Sequence, residues 1–564
     1  MDKRFFLALF LSLIVIAISQ LLFPPPKQPA TAKASGVNQN SAASSTLAAP
    51  NVRATAIDSS RGVLPSVERS SSTSPSSTSS PTTVAQATVV ETSRAIYTFT
   101  NEGAAPTSVV IRDYQNRSTG GPVDLGTPGL TLLRYYIVTN NRDTLDLAHI
   151  PFQLQRSRAA SGDDVLNYTA STANVALRIS YTIPHDTAAS YVVQVRGEVT
   201  GLQGPVYLLT ELPRTLKSAE ADTIADHRSL AYSFKPQKDH SRSVLFGSMD
   251  PGEKRLETGP LSWVAVKNKY FVMGILSPLN GVPFSEVSLA GGARTSKIAT
   301  TASATVVDEI RNGSFAFDIY SGPQESQRLM RLGRDFDHVN PYGWRFLQGV
   351  VHPIASKVIQ ALLWMHHRLN LTYGWVLVIL GILVRLALWP LNQSTMRSSL
   401  RMQELQPKLA AAQKKYKDPV QQREAIMKVY HDAGVSPFAG LTGCLPALLP
   451  MPILFALFFV FQNTIEFRGV PFLWLHDISI KDPLYILPLL MGASMYVLSW
   501  IGMRNAPPNP QAKMMGYMFP VMMTVVLLNM ASGLNLYYTA QNIAALPQQW
   551  LLARERAKVR PATT

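Results

Sequence analysis

The sequence lacks most of the features on which enzyme chemistry depends. Its single cysteine, Cys444, cannot form a disulfide within the chain, and its position in an apolar run indicates an unreactive core thiol. We find no phosphate-binding loop, no zinc-protease motif and no nucleophile paired with a base, which argues against ATP hydrolysis and against an enzyme. No cluster of metal-ligating residues and no cofactor motif is recognised, so we expect no bound metal and no cofactor.

The chain contains fewer acidic than basic residues. The chain has 36 Asp and Glu against 52 Lys and Arg, a formal net charge of +16 and a pI of about 9.7. In a membrane protein such an excess usually marks cytoplasmic loops close to anionic lipid. It is also compatible with contact to the ribosome, whereas we expect no binding to DNA.

Charged residues are almost absent from the apolar runs of the C-terminal half. The last four of five predicted spans contain no Asp, Glu, Lys, Arg or His. The first carries one cation, Arg385, whose burial in lipid costs about 3 kcal/mol on insertion scales. The predicted spans are residues 373–391, 441–462, 483–500, 514–529 and 533–550.

Arg385 therefore has no acidic partner within the predicted membrane spans. Three explanations are open: the side chain reaches the nearby interface, it faces a water-filled cavity, or it binds an anion that another molecule supplies. Arg385 lies six residues before the end of its span. That separation is about 9 Å at the rise of a helix, so simple snorkelling to the interface explains the arginine as well as a functional cavity does.

The N-terminal segment combines a short basic stretch with an apolar run. Lys3 and Arg4 precede residues 5–23, a pattern typical of a signal peptide or a signal anchor. The sequence Ala-Thr-Ala at 30–32 suits cleavage, but the run is longer than a usual signal core. We favour an uncleaved anchor helix at 1–23 with a cytoplasmic N-terminus. Residues 24–90, rich in Ser, Thr, Ala and Pro, are expected to form a disordered periplasmic tether.

Residues 91–335 are expected to form a β-sandwich on the periplasmic side. Short β-prone runs recur there between turn residues, and the run at 192–199 partly alternates between apolar and polar residues. Many strands with few helical patterns are typical of this architecture. The predicted strands are residues 95–100, 108–114, 132–139, 175–183, 191–199, 206–211, 230–234, 270–277 and 314–320, followed by a short helix at 325–332.

The remaining residues predict an α-helical polytopic membrane protein with six transmembrane helices, five of which form a core at 371–552. An amphipathic helix within 340–370 is expected to lie in the outer interface, with Trp344 and Trp364 at headgroup level. Residues 392–437 are polar and basic, and they predict a cytoplasmic helical hairpin that turns at Lys-Asp-Pro, residues 417–419. The basic tail at 553–564 indicates that the C-terminus is cytoplasmic as well.

The last span carries polar residues on one helix face. Asn535, Tyr538 or Thr539, and Asn542 are three, four and seven residues apart. These side chains either hold the bundle together through interhelical hydrogen bonds or line the same hydrated cavity as Arg385.

The preceding span concentrates methionine, including Met518 and Met522. Flexible thioethers suit a surface that accepts varied apolar partners, and they also fill ordinary cores. Both explanations stay open on the sequence.

Several segments together resemble the YidC membrane-protein insertases, in the Gram-negative form with a large periplasmic domain. They cover most of residues 340–552 in the order and spacing of that family. The resembling segments are LVRLALWPL (383–391), MQELQPK (402–408), SPFAGLTGCLPALLPMPILFALF (436–458), DPLYILPLLMG (482–492) and SGLNLYY (532–538).

This resemblance implies a chaperone-like insertase of the bacterial inner membrane that takes up nascent membrane proteins, alone or with the Sec translocon. It implies a groove among five spans, open to the cytoplasm and to lipid, with Arg385 inside and Tyr538 in contact with substrate. We predict that Asn535, Asn542, Met518 and Met522 belong to the same groove.

One position departs from the family pattern. Members often have Thr or Ser one turn before the arginine, where this chain has Gly381. The main alternative function is a secondary transporter with an arginine-lined substrate cavity. Such a protein normally needs an intramembrane acid or histidine for coupling, and the five predicted spans contain neither.

Overall fold

The computed structural model of the chain describes residues 86–340, with gaps at 140–142, 173–174, 186–190 and 295–297, then residues 342, 348–390, 418–432, 451–504 and 510–559, with isolated positions between 393 and 415. The predicted anchor at 1–23, nearly all of the tether at 24–90 and most of the hairpin at 392–437 lie outside the described residues. Trp344, Cys444 and the first ten residues of the span at 441–462 also lie outside them.

The N-terminal part consists mainly of antiparallel strands. In chain order they are β1 (Ala87–Glu91), β2 (Ala95–Thr100), β3 (Ala105–Gln115), β4 (Pro122–Asp124), β5 (Arg134–Thr139), β6 (Thr144–Asp146), β7 (Gln153–Arg158), β8 (Asp164–Ser171), β9 (Ala176–Ile183), β10 (Val192–Thr200), β11 (Val206–Glu211), β12 (Ala231–Pro236), β13 (Arg242–Leu245), β14 (Lys254–Lys267), β15 (Phe271–Leu276), β16 (Phe284–Gly291), β17 (Ala302–Ile310) and β18 (Ser314–Pro323).

These strands form two sheets. A four-stranded sheet has the order β1-β2-β3-β4. A fourteen-stranded sheet has the order β6-β5-β11-β17-β16-β14-β15-β18-β10-β9-β8-β7, with β12 and β13 paired beside β14. The prediction of a domain built mainly of β-strands is therefore confirmed, and its finer description as a β-sandwich stays a prediction.

Both sheets contribute to one hydrophobic core. Phe99 of β2 packs against Tyr181 of β9, with ring centroids 4.9 Å apart. The Tyr181 hydroxyl lies 3.0 Å from that of Tyr135 and donates to the carbonyl of Ala104 at 2.6 Å. The buried phenol is thus hydrogen-bonded, as a polar group in a core must be to avoid a desolvation cost.

Each predicted strand overlaps an observed one, but the longest strand, β14, is not among the predictions. Gly259 and Pro260 interrupt its sequence and suggest a turn. In the structure β14 continues past them, and its register with β16 shifts between Thr258 and Leu261. An irregularity of this kind is a place where a sheet tolerates proline.

The helices follow a similar order along the chain. Two short ones, α1 (Thr223–His227) and α2 (Ser326–Arg331), belong to the β-rich part. The others are α3 (Gln348–Leu369), α4 (Tyr373–Ala387), α5 (Pro419–Asp432), α6 (Met451–Asn463), α7 (Ile486–Met503), α8 (Pro510–Leu527) and α9 (Ser532–Val559).

Helix α9 is central to the helical bundle, because it packs between α4 and α7. Helix α8 packs on α7, and α3 packs on α6. Small residues permit two of the close approaches. A Cβ atom on Gly381 of α4 would lie 3.0 Å from the Tyr537 carbonyl oxygen of α9, and one on Gly492 of α7 would lie 2.0 Å from Thr524 Oγ1 of α8.

Each of the five predicted C-terminal spans contains a helix. Within the part of the chain that the structure describes, only α7 is both long and apolar enough to cross a membrane; Tyr373–Ala387, Pro452–Asn463 and Gly516–Leu527 are shorter apolar helices. The number of six spans stays a prediction. Helix α9 extends to Val559, so the basic tail predicted at 553–564 begins inside a helix.

Candidate functional site

Arg385 lies in the last turn of α4 and is half-buried. Its Nη2 donates a hydrogen bond to Oε1 of Gln548 on α9 at 2.9 Å. Its Nε is buried without a hydrogen-bond partner among the described residues. The observed partner is a neutral amide, so the positive charge of the guanidinium is not compensated by this contact.

Gln548 connects α9 to α4 through both ends of its amide. It is only 2% exposed, and its Nε2 donates to the backbone carbonyl of Trp389 at 3.1 Å. Trp389 lies two residues beyond the end of α4, so this hydrogen bond holds the chain just after that helix. Gln548 therefore ties together the end of α4 and the side chain of Arg385.

Gly381 explains how α4 and α9 come close enough for this contact. It is buried one turn before Arg385, against the backbone of α9 at Tyr537 and beside Ala540. Any side chain there has to push the two helices apart or displace a neighbour. The departure from the Thr or Ser of the family pattern thus has a packing explanation.

The polar face predicted on α9 makes contacts in several directions. Asn535 is fully buried and donates from Nδ2 to the Leu527 carbonyl at 3.1 Å. Asn542 donates from Nδ2 to Ser494 Oγ of α7 at 3.1 Å. These are interhelical hydrogen bonds, and the contacts described for Asn535 and Asn542 do not include Arg385. Their place in a groove stays a prediction.

The two adjacent tyrosines of α9 differ in environment. Tyr537 is fully buried against Phe461 of α6, with ring centroids 6.1 Å apart. Tyr538 is half-buried. On α8, Met518 and Met522 are 59% and 36% exposed, so they belong to the outer surface of the described bundle rather than to its core. Their thioethers are accessible to lipid or to an apolar partner.

Sequence reasoning did not single out Gln548. The residue lies two positions before the predicted end of the last span, where a polar amide is unremarkable. Continuing the polar face of Asn535 and Asn542 would not have reached it, because six residues beyond Asn542 correspond to about 600° of rotation and leave Gln548 about 120° away on the helix.

The loop between α6 and α7, residues 464–482, closes the opposite end of the bundle from Arg385. Asp482 lies three residues before the N-cap position of α7, Tyr485. It accepts hydrogen bonds from the backbone N–H groups of Leu484 and Leu487, at 3.0 and 2.8 Å, and so caps the N–H of Leu487 in the first turn of α7. The carbonyl of Ile480 accepts from the N–H of Ser532, and that of Ile478 from the N–H of Gly533. The loop is thereby fixed to the first residues of α9.

The same loop is joined to the β-rich part by Arg468. The Arg468 Nε lies 2.7 Å from Glu220 Oε1, and its Nη2 donates to the carbonyls of Gln115 and Ala219 at 2.8 and 3.0 Å. Both charged side chains are almost fully buried. Burial raises the pKa of Glu220 even though Arg468 opposes the shift. Ile465 of the loop is itself part of the hydrophobic core of the β-rich part.

Glu466 is a second buried acid at this junction. One carboxylate oxygen accepts a hydrogen bond from the N–H of Ser326 at 3.2 Å, while the other is buried without a partner among the described residues. Burial raises its pKa to about 7, with a smaller contribution from Glu325. The carboxyl therefore titrates near neutral pH.

Fold and site together define a helical bundle with a half-buried cation at one end and a β-rich domain joined to the other end. Two family models match the chain: the YidC periplasmic domain over residues 87–354 and the 60Kd inner membrane protein over residues 364–559. The chain belongs to the YidC family. Its inner-membrane location and the periplasmic position of the β-rich domain follow from this membership.

Individual proteins are similar to the chain over most of its length. The membrane protein insertase YidC of Chlorobium luteolum is 31% identical over 449 residues, covering 73% of this chain and 72% of that protein. The protein of the same name from Chlorobium phaeovibrioides is 29% identical over 503 residues, covering 82% of each. A YidC insertase crystal structure with its first transmembrane domain resolved is 19% identical, covers 82% of this chain and 92% of its own, and has a TM-score of 0.32.

Proposed function

We propose that this chain, a membrane protein insertase, receives nascent inner-membrane proteins in a hydrated groove at Arg385 and releases their apolar helices sideways into lipid. The observation that carries this mechanism is the pairing of Arg385 with a neutral amide. An acidic partner would cancel the charge, whereas Gln548 orients the guanidinium and leaves its charge available.

The first step is electrostatic. The N-terminal tail of an entering chain, often acidic, is attracted to Arg385. The attraction between two unit charges at 4 Å rises from about 1 kcal/mol in bulk water to about 4 kcal/mol at a dielectric constant near 20. A hydrated groove spares Arg385 full desolvation and also shortens the polar path across the bilayer.

The second step is partition into lipid. The exposed surface that α8 contributes at Met518 and Met522 offers an apolar, adaptable wall. Burial of the substrate helix in lipid then drives release, at about 25 cal/mol per Å² of apolar surface removed from water. Tyr538, Asn535 and Asn542 complete the groove in this proposal. The process requires no covalent step and no nucleotide.

The proposed topology follows the charge distribution. The anchor at 1–23, the tether at 24–90, a β-sandwich at 91–335 and the interfacial helix within 340–370 precede a five-helix core at 371–552 that carries the hairpin at 392–437. Both termini, the hairpin and the tail at 553–564 lie in the cytoplasm. The hairpin and tail are the surfaces we assign to the ribosome, and cooperation with the Sec translocon is part of the same proposal.

The secondary-transporter alternative is not supported, since the relatives reported above are insertases.

The test is insertion of a Sec-independent substrate with an acidic N-terminal tail, in cells depleted of their own insertase. Arg385→Ala should lower the inserted fraction by about tenfold, and Arg385→Lys should keep most of it, because charge is what the step requires. Arg504→Ala is a matched control, since Arg504 follows the last residue of α7 and lies over the Trp500 ring. Equal insertion by the Arg385→Ala and Arg504→Ala variants would remove Arg385 from the mechanism.

Crosslinking adds a positional test. A photoreactive residue at position 385, 538 or 518 should react with a stalled nascent membrane protein. Reaction at all three positions supports one groove, and reaction at none contradicts it.

A further inference from the structure

Gln548 is a buried polar residue of α9 whose amide is hydrogen-bonded at both ends. We propose that Gln548 is a positioning residue that fixes the guanidinium of Arg385 for insertion, and that the neutrality of its amide preserves the preference of the groove for acidic substrate tails. This inference rests on the proposed function, because it assigns the specificity of the same site.

The orientation of the amide follows from its two partners. The Trp389 carbonyl can only accept a hydrogen bond, so the group that faces it at 3.1 Å must be the amide nitrogen. The amide oxygen then faces Nη2 of Arg385, which can only donate. No other arrangement of this side chain satisfies both contacts.

Other side chains at position 548 could not bond both Arg385 and the Trp389 carbonyl while remaining uncharged. A glutamate would accept from Arg385, but it would neutralise the cation and place a carboxylate oxygen against the Trp389 carbonyl. A leucine would leave the guanidinium and that carbonyl without their present partner. A glutamine satisfies both neighbours and adds no charge.

The chain also offers a matched control. Gln549 follows Gln548 on α9 but is directed to a different helix, since its Nε2 would lie 2.7 Å from a Cβ atom on Gly502 of α7. A carboxylate at position 549 therefore adds the same charge to the same helix turn without meeting Arg385 directly.

The experiment compares Gln548→Glu, Gln548→Leu and Gln549→Glu in the full-length chain. Each variant is supplied with three substrates that differ only in the N-terminal tail, which is acidic, neutral or basic. The quantity measured is the ratio of inserted acidic-tail to inserted neutral-tail substrate. Gln548→Glu should lower this ratio by about tenfold, because an ion pair with Arg385 removes the attraction. Gln548→Leu should reduce insertion of both substrates and keep the ratio within about twofold, and Gln549→Glu should leave the ratio unchanged.

The basic-tail substrate separates lost specificity from lost folding. Gln548→Glu should insert it better than the wild type does, by about threefold or more, and a misfolded protein cannot gain activity in this way. Equal ratios for Gln548→Glu and Gln548→Leu, without that gain, would overturn the inference.

The proposed function fails by a different result. If the wild type shows no preference for the acidic tail, and Arg385→Ala inserts all three substrates normally, Arg385 is not part of the groove. Failure of the Gln548 inference alone would leave the effect of Arg385→Ala in place.

Discussion

Replacing Arg468 with methionine should open the junction between the loop at 464–482 and the β-rich domain. Methionine keeps a long apolar stem in the buried position and removes three hydrogen-bond contacts, to Glu220, Gln115 and Ala219. The main consequence falls on Glu220, whose carboxylate would remain buried with its cation gone.

The size of the effect follows from that buried acid. Removing one member of a buried ion pair usually costs about 3–5 kcal/mol. We take about 3 kcal/mol, because burial already raises the pKa of Glu220 and a proton can relieve part of the loss. At 1.4 kcal/mol for each factor of ten, the junction should open about 100-fold more often.

Hydrogen exchange measured by mass spectrometry reports this opening directly. The peptides to follow are those covering 464–482 and 115–120, which meet at Arg468. The N–H of Arg117 bonds to the same Ala219 carbonyl that Arg468 contacts, so its exchange should accelerate by a similar factor. The acceleration should be larger at pH 8 than at pH 6, since the unpaired Glu220 binds a proton more readily at the lower pH.

Two further variants decide whether the ion pair is responsible. Arg178 forms an exposed pair with Glu198, so Arg178→Met should change local exchange by no more than about twofold. Adding Glu220→Gln to Arg468→Met should restore part of the lost protection, because neither position of this ion pair then holds an unpaired charge. Exchange in Arg468→Met that matches Arg178→Met would refute the account given for the junction.

Three more outcomes are expected. Glu466 has a folded-state pKa of about 7 against an ordinary 4.5, so the junction should lose stability as pH rises between those values. Glu466→Gln should flatten that pH dependence in the same exchange assay, and an unchanged slope would contradict the role of Glu466. Gly381→Leu should lower the thermal unfolding temperature of the purified chain, because overpacking at this position should cost about 1–3 kcal/mol of stability. Gly349→Leu, at a position with open space, should leave that temperature unchanged, and equal shifts for the two variants would contradict the packing role. Asp482→Ala should destabilise the start of α7 by about 1 kcal/mol, seen as faster exchange at the capped N–H groups; unchanged protection there would argue against the cap.

The sequence predicts those elements best whose physical signal is local. Periodic apolar runs located helices in all five C-terminal spans, and short β-branched and aromatic runs overlapped nine strands. The strand β14 was missed because Gly259 and Pro260 suggest a turn, and the bulge that accommodates them depends on the partner strand β16. Strand β7 was missed because its side chains are mostly exposed and polar, so no apolar alternation marks it.

Arg385 was noticeable in the sequence because a charge in an apolar span is conspicuous in one dimension, and its role in the groove stays a prediction. The contact between Arg385 and Gln548 could not be predicted, because the two residues are 163 positions apart and come together only when α4 packs on α9. The junction at Arg468 was hidden for the same reason. Its partners at 115, 219 and 220 belong to a domain whose placement cannot be derived from hydropathy.

Ile465 has a consequence for chimaeric proteins. This residue belongs by sequence to the membrane half, yet its side chain is part of the hydrophobic core of the β-rich domain. If the domain of one relative were joined to the helices of another, the residue at position 465 would therefore pack poorly in the transplanted core. The buried acid at position 466 would lose its hydrogen-bond partner. We expect such chimaeras to fold only when the loop corresponding to 464–482 is taken from the same donor as the domain. The structural unit that must be exchanged is therefore discontinuous in sequence.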